Sequence, residues 1–150
     1  MVNPFDLKSA LFARHAQHVV LIHFPIALFL TSVMFDFAAH WKKSRVLAEV
    51  AYYNLLAAAI FCVPVLATGI LAWRWQLEGQ RLKGILLEHL VLATISCVLI
   101  WLIAWMQFRN QQKPQRDRTL LRLPIEVVAA IAIALTAHLG GFLSGVNGPG

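Results

Sequence analysis

Charge is what this chain has least of. Only 13% of its 150 residues are Asp, Glu, Lys or Arg, while 59% are hydrophobic and the mean hydropathy is +0.68. A soluble domain carries about 25% charged residues, so this composition argues against an ordinary water-exposed fold and for a membrane protein. Cysteine is scarce as well. Cys62 and Cys97 both lie inside apolar stretches and neither has a Cys-x-x-Cys neighbour. Iron–sulfur ligation and covalent c-type haem attachment are therefore without support. Two buried small side chains are expected there, in preference to a disulfide. The formal net charge is +6, but the basic residues fall almost entirely between apolar runs. That pattern orients a protein in a membrane and gives little support to nucleic-acid binding. The N-terminus does not read as a cleaved signal peptide, because Asp6, Lys8 and Arg14 precede an apolar run too long for a signal core.

What is there in quantity is apolar sequence, in four runs: 19–39, 50–73, 85–108 and 123–146. Each holds roughly 21–24 residues, or about 31–36 Å of helix, against a bilayer core of ~30 Å. Hydrocarbon offers no partner to backbone N–H and C=O groups, so these runs are helices. The predicted fold class is an all-α, integral membrane four-helix bundle, one domain over 1–150. Residues 1–18 read as a short interfacial segment, with Leu7, Ala10, Leu11 and Arg14 at helical spacing. The polar connection 107–122 is expected to be solvent-exposed. Counting Lys and Arg puts five on the side shared by the termini and eight on the other. The positive-inside rule then places both termini outside the cytoplasm.

Histidine carries the functional argument. His23 and His89 each lie about four residues inside their spans, roughly 6 Å deep, and His138 lies about 9–12 Å from the same surface. His18 sits just above them, and His40 belongs to the opposite face beside Lys42 and Lys43. Imidazole is costly to bury in hydrocarbon, so several at one depth point to a metal, a cofactor or a proton path. Haem b takes two neutral imidazoles from different helices within apolar walls. Zinc or copper suits this carboxylate-poor setting less well. The expected ligands are His23, His89 and His138, with the pair left open. His18 is a fourth candidate or a donor to a haem propionate. His18 and His23 are five residues apart, about 140° around a helix, so they point in different directions.

Other residues frame that site. Gly140 and Gly141 follow His138, with Gly145 beyond and Gly69 at comparable depth in the second span. They let a flat ring or a neighbouring helix approach the backbone. Glu88 is a candidate orienter of His89 or a proton acceptor. Pro25 either opens the first helix or kinks a longer one, and Pro64 bends the second. Asp36 and Glu126 are expected to pair with a cation or reach the interface. Each feature also has a plain structural reading: histidines as interhelical hydrogen-bond donors, glycines as a packing seam, tryptophans as interface anchors.

The run His18-Val19-Val20-Leu21-Ile22-His23-Phe24-Pro25-Ile26-Ala27-Leu28 resembles the opening signature of a bacterial membrane-domain family of unknown function. That signature reads His, four residues, then His-Phe-Pro-Ile-Ala-Leu. His89 and the His138-Leu139-Gly140-Gly141 stretch resemble its later motifs, and the similarity runs from about His18 to Gly148. The chain departs from the pattern in having Val19 where Pro is frequent and Leu90 where Arg is frequent. The resemblance implies a four-helix domain of the bacterial inner membrane, often joined to Rieske or cytochrome c domains. It thereby implies electron transfer, with a b-type haem or a quinone contact and a separate redox partner subunit. Set against a haem b electron-transfer subunit relaying electrons between quinone and that partner are two alternatives. One is a non-catalytic anchor or assembly subunit; the other is a small transporter or proton-conducting protein.

Overall fold

The computed structural model describes residues 16–76, 78–109 and 115–145, and within them the side chains of 17–75, 78–109 and 122–145. The interfacial segment expected before residue 16 lies outside the described residues. Among the described residues five helices follow in order: α1 (Ala16–Leu21), α2 (His23–Lys42), α3 (Arg45–Gln76), α4 (Ile85–Arg109) and α5 (Gln115–Leu143). Four stretches are long and apolar enough to cross a membrane: Gln17–Lys42, Arg45–Trp75, Ile85–Arg109 and Arg122–Leu143. The all-α membrane bundle read from composition is the fold observed.

The first span is kinked. Pro25 has no N–H, so the carbonyl of Leu21 loses its partner one turn on. Around the break at Ile22 the ladder persists, with Ile22 N–H donating to His18 O at 3.0 Å and Ile26 N–H to Ile22 O at 3.4 Å. Ile22 itself stays right-handed, at φ −60° and ψ −27°. Pro25 therefore bends one span instead of opening it. Helix α2 stops at Lys43, left-handed at φ 49°, and Ser44 N–H returns to Ala39 O at 3.1 Å. Ser44 Oγ then accepts from Leu47 N–H at 3.4 Å, capping α3. The turn joining α2 to α3 is thus only two residues long, and it fixes the pair as an antiparallel hairpin.

Helix α3 has 32 residues, about 48 Å, so its charged start at Arg45 projects beyond the hydrocarbon. Helix α5 ends at Leu143, short of 146, where Gly145 takes a positive φ of 77°. Helices α2 and α3 pack closely as one hairpin and α4 and α5 as another. The hairpins meet more sparingly, α2 against α5 and α3 against α4. Phe29, Leu55 and Cys62 from the first hairpin meet Ile100, Ile103 and Ile133 from the second in one apolar core. Large apolar side chains such as Met34, Ile60, Val98, Trp105 and Ile131 face outward, as a lipid-facing surface requires.

The two hairpins bury corresponding positions. Shifted by 71 residues, Pro25 falls on Ser96, Phe29 on Ile100, Ser32 on Ile103 and Asp36 on Gln107. On the second helices, Ala51 falls on Arg122, Leu55 on Glu126, Ala58 on Ala129 and Cys62 on Ile133. Every residue in these pairs is buried. Each hairpin has two helices, so both copies enter the membrane from one side. The hairpins also meet reciprocally, α2 on α5 and α3 on α4, the contact pattern that a parallel repeat gives.

Candidate functional site

His18 and His89 are one such pair, 71 residues apart, and both line a single cavity on the seam between the hairpins. His18, on α1, has its Nδ1 3.1 Å from Thr68 Oγ1. When the Thr68 hydroxyl donates its proton to the Pro64 carbonyl (2.9 Å) or to that of Val65 (3.1 Å), its lone pairs are open to accept from His18 Nδ1–H. His89, on α4, places Nδ1 3.0 Å from the Thr136 carbonyl, which can only accept. His89 therefore carries its proton on Nδ1 and its lone pair on Nε2, and the contact of His18 with Thr68 suits the same tautomer. That is the tautomer in which a second partner orients an imidazole for coordination through Nε2.

Glycine makes room for each ring. A Cβ on Gly69 would stand 3.0 Å from His18 Cε1, and one on Gly140 would stand 3.2 Å from His89 Cε1. Any side chain at either position would press on the imidazole. The glycines obey the repeat as well: His18 to Gly69 and His89 to Gly140 are both intervals of 51 residues.

The cavity measures about 90 Å³, and Ile22, Ile26, Ala93, Ile100 and Ile133 help to line it. At ~30 Å³ per water this is room for about three, not for a porphyrin. Two neutral imidazoles within mostly apolar walls are a donor set that fits haem iron, although Cys62, Cys97, Ser96 and Thr136 also line the cavity. Among the described residues no group of three or more His, Cys, Asp or Glu could hold a metal ion. A metal held here by two protein nitrogens would take its remaining ligands from a macrocycle. The side-chain bonds tying the hairpins, Trp101 Nε1–H to Ala59 O (2.9 Å) and Arg122 to Asp36, lie further toward the opposite end.

His23 and His138 are placed differently. His23 is exposed and its Nδ1 donates to Val19 O, one turn back in its own kinked span, at 2.7 Å. His138 is exposed with its ring edge-on to Phe142 at 5.1 Å. Neither lines the cavity. Depth groups His23, His89 and His138, but depth carries no rotation. His138 precedes Gly140 by two residues, about 200° around the helix, so it faces away from the glycine that meets His89. Glu88 and His40 are exposed. Cys62 and Cys97 are free, buried, and part of the cavity wall. The repeat is the signal that singles out His18: His18-Val19-Val20-Leu21 and His89-Leu90-Val91-Leu92 match at three of four positions.

A second polar cluster occupies the far end. Arg122 donates through Nη2 to Asp36 Oδ2 and through Nε to Glu126 Oε1, the latter at 2.7 Å. Asp36 and Glu126 do find a cation, as their positions require. Arg122 itself is not the solvated loop residue that the charge count assumes, being only 4% exposed. Setting it aside leaves seven basic residues against five, which narrows the charge asymmetry.

Residues 14–148 match the sequence model of a family described as predicted membrane protein (DUF2231). No curated protein and no solved structure matches the chain.

Proposed function

The chain belongs to the DUF2231 family of predicted membrane proteins, and on that premise we propose that it is a haem b-binding electron-transfer subunit of the bacterial inner membrane. His18 and His89 would hold the haem iron. The observation that carries this reading is the convergence of two symmetry-related imidazoles on one apolar cavity, each with Nδ1 engaged and Nε2 left to coordinate. The bound haem would supply a one-electron couple in low dielectric. The protein's part is orientation. Thr68 and the Thr136 carbonyl hold the two rings, Gly69 and Gly140 keep the backbone out of their way, and the isoleucines exclude water. The histidine end faces away from the cytoplasm, and the electron partner is a separate Rieske or cytochrome c type subunit, with quinone at the other end of the exchange.

A second reading has its own support. Both Nδ1 bonds run between helices, so the histidines also serve to stitch each hairpin together, as in an anchor or assembly subunit. One experiment separates them. The chain is expressed in a haem-replete membrane, purified, and its reduced-minus-oxidised spectrum recorded. Sharp α and Soret bands are expected, lost in His18→Ala and His89→Ala and kept in His23→Ala and His138→Ala. A folded, colourless protein would leave the anchor reading.

A further inference from the structure

The end of the bundle opposite the histidines carries an unbalanced charge. Asp36, Arg122 and Glu126 are 3%, 4% and 2% exposed, and two carboxylates there share a single guanidinium. With both acids ionised the cluster is net negative inside a membrane span, where unpaired charge is strongly penalised. The guanidinium bonds also leave one oxygen out. Glu126 Oε2 is buried and has no hydrogen-bond partner among the described residues.

A second orphan lies at the same level. Gln107 Oε1 is likewise buried without a partner among the described residues, and the residue is only 8% exposed. Helices α4 and α5 are antiparallel, with His89 against Gly140 and Ser96 Oγ 3.3 Å from Thr136 Oγ1. Continuing those registers sets Gln107 between Arg122 and Ile125, within about one turn of Glu126. From α3, the repeat places Ala51 and Leu55 at this level, and neither carries charge. From α2 the facing group is Asp36. Two buried acceptors with no donor, next to one surplus negative charge, lack the same thing: a proton.

We propose that the Asp36–Arg122–Glu126 cluster is a proton-binding site, holding one proton on Glu126 Oε2 directed to the Gln107 amide oxygen. The bound proton cancels the charge and turns one orphan acceptor into a donor for the other. Glu126 and Gly140 are 14 residues apart on α5, so the site stands about 21 Å along the helix from the His89 contact.

Infrared spectroscopy on the haem-free protein in proteoliposomes tests this independently of the haem reading. At neutral pH a protonated-carboxyl C=O band is expected. It shifts when glutamate is supplied with heavy carbon in its side-chain carboxyl, and it disappears in Glu126→Gln. In Gln107→Leu it persists but moves to higher frequency, because its hydrogen bond is gone. The labelling arm needs no variant: it places the proton on a glutamate. Since Glu49, Glu78 and Glu88 are exposed, an unchanged band in Glu88→Gln and Glu49→Gln leaves the buried Glu126 even if its own substitution fails to fold. No such band, a band indifferent to labelled glutamate (the proton then being on an aspartate), or a band abolished by sodium chloride (a metal cation then occupying the site) would each overturn the proposal.

Discussion

The imidazoles of His18 and His89 occupy equivalent places in two copies of one helical hairpin, each ring resting on a glycine 51 residues further along the chain. The cavity between them therefore has two matching walls. The following expectations rest on that arrangement and on the ion cluster at the other end.

Substituting either glycine should damage the site. In Gly69→Ala or Gly140→Ala the new methyl lies 3.0 or 3.2 Å from an imidazole carbon, so ring or helix must move. Overpacking of this kind costs about 1–3 kcal/mol. Thermal unfolding in detergent should show that loss, and haem occupancy should fall in both variants. Gly79→Ala, on the connection with no atom near its added carbon, should leave haem occupancy unchanged.

The two threonines should behave differently despite their similar roles. Thr68→Val removes the side-chain acceptor of His18 Nδ1–H, whereas Thr136→Val leaves intact the main-chain carbonyl that holds His89. An unpaired buried donor costs about 1–3 kcal/mol. The midpoint potential and spectrum of the haem should change in Thr68→Val and hold nearly constant in Thr136→Val. Equal effects would mean the hydrogen bonds do not orient the ligands.

Arg122 should be the most sensitive position at the far end. Arg122→Gln strands the buried Asp36 carboxylate and takes the donor from Glu126 Oε1, and removing one partner of a buried ion pair costs about 3–5 kcal/mol. Replacing all three members by apolar residues, as Asp36→Leu, Arg122→Met and Glu126→Leu together, should recover most of that stability. Urea or thermal unfolding of the two variants measures the contrast.

The cysteines should be dispensable. Cys62→Ala and Cys97→Ala each remove a single sulfur from a buried wall position, at a cost of about 1 kcal/mol for a small cavity. Haem absorbance should persist in the double variant. Maleimide labelling of the parent protein should be slow until it is unfolded. Loss of the cofactor in the cysteine variants would instead implicate sulfur in its binding.

Much of the fold is legible in the residues alone, because a span of about 20 apolar residues has few structural options in lipid. The site is legible only in part. Depth can be counted along a helix, and it brings His23, His89 and His138 to one level. Rotation cannot be read from depth, and rotation is what turns His23 onto its own helix and His138 outward. The angle between His18 and His23 shows that they part company, but not which one turns inward. Composition likewise files Arg122 with its basic neighbours in the loop. Burial against Asp36, 86 residues away in sequence, is a tertiary fact with no local trace.

Because the bundle is built as a doubled hairpin, it is in effect a homodimer whose halves have been sewn into one chain. A true homodimer suffers every mutation twice, once on each side of its axis. Here a single substitution spoils one wall and leaves its counterpart sound. That freedom shows at the far end, where Ala51 and Leu55 in one half stand opposite Arg122 and Glu126 in the other. An ionic lock of that kind needs unlike partners, and only the fused form can supply them.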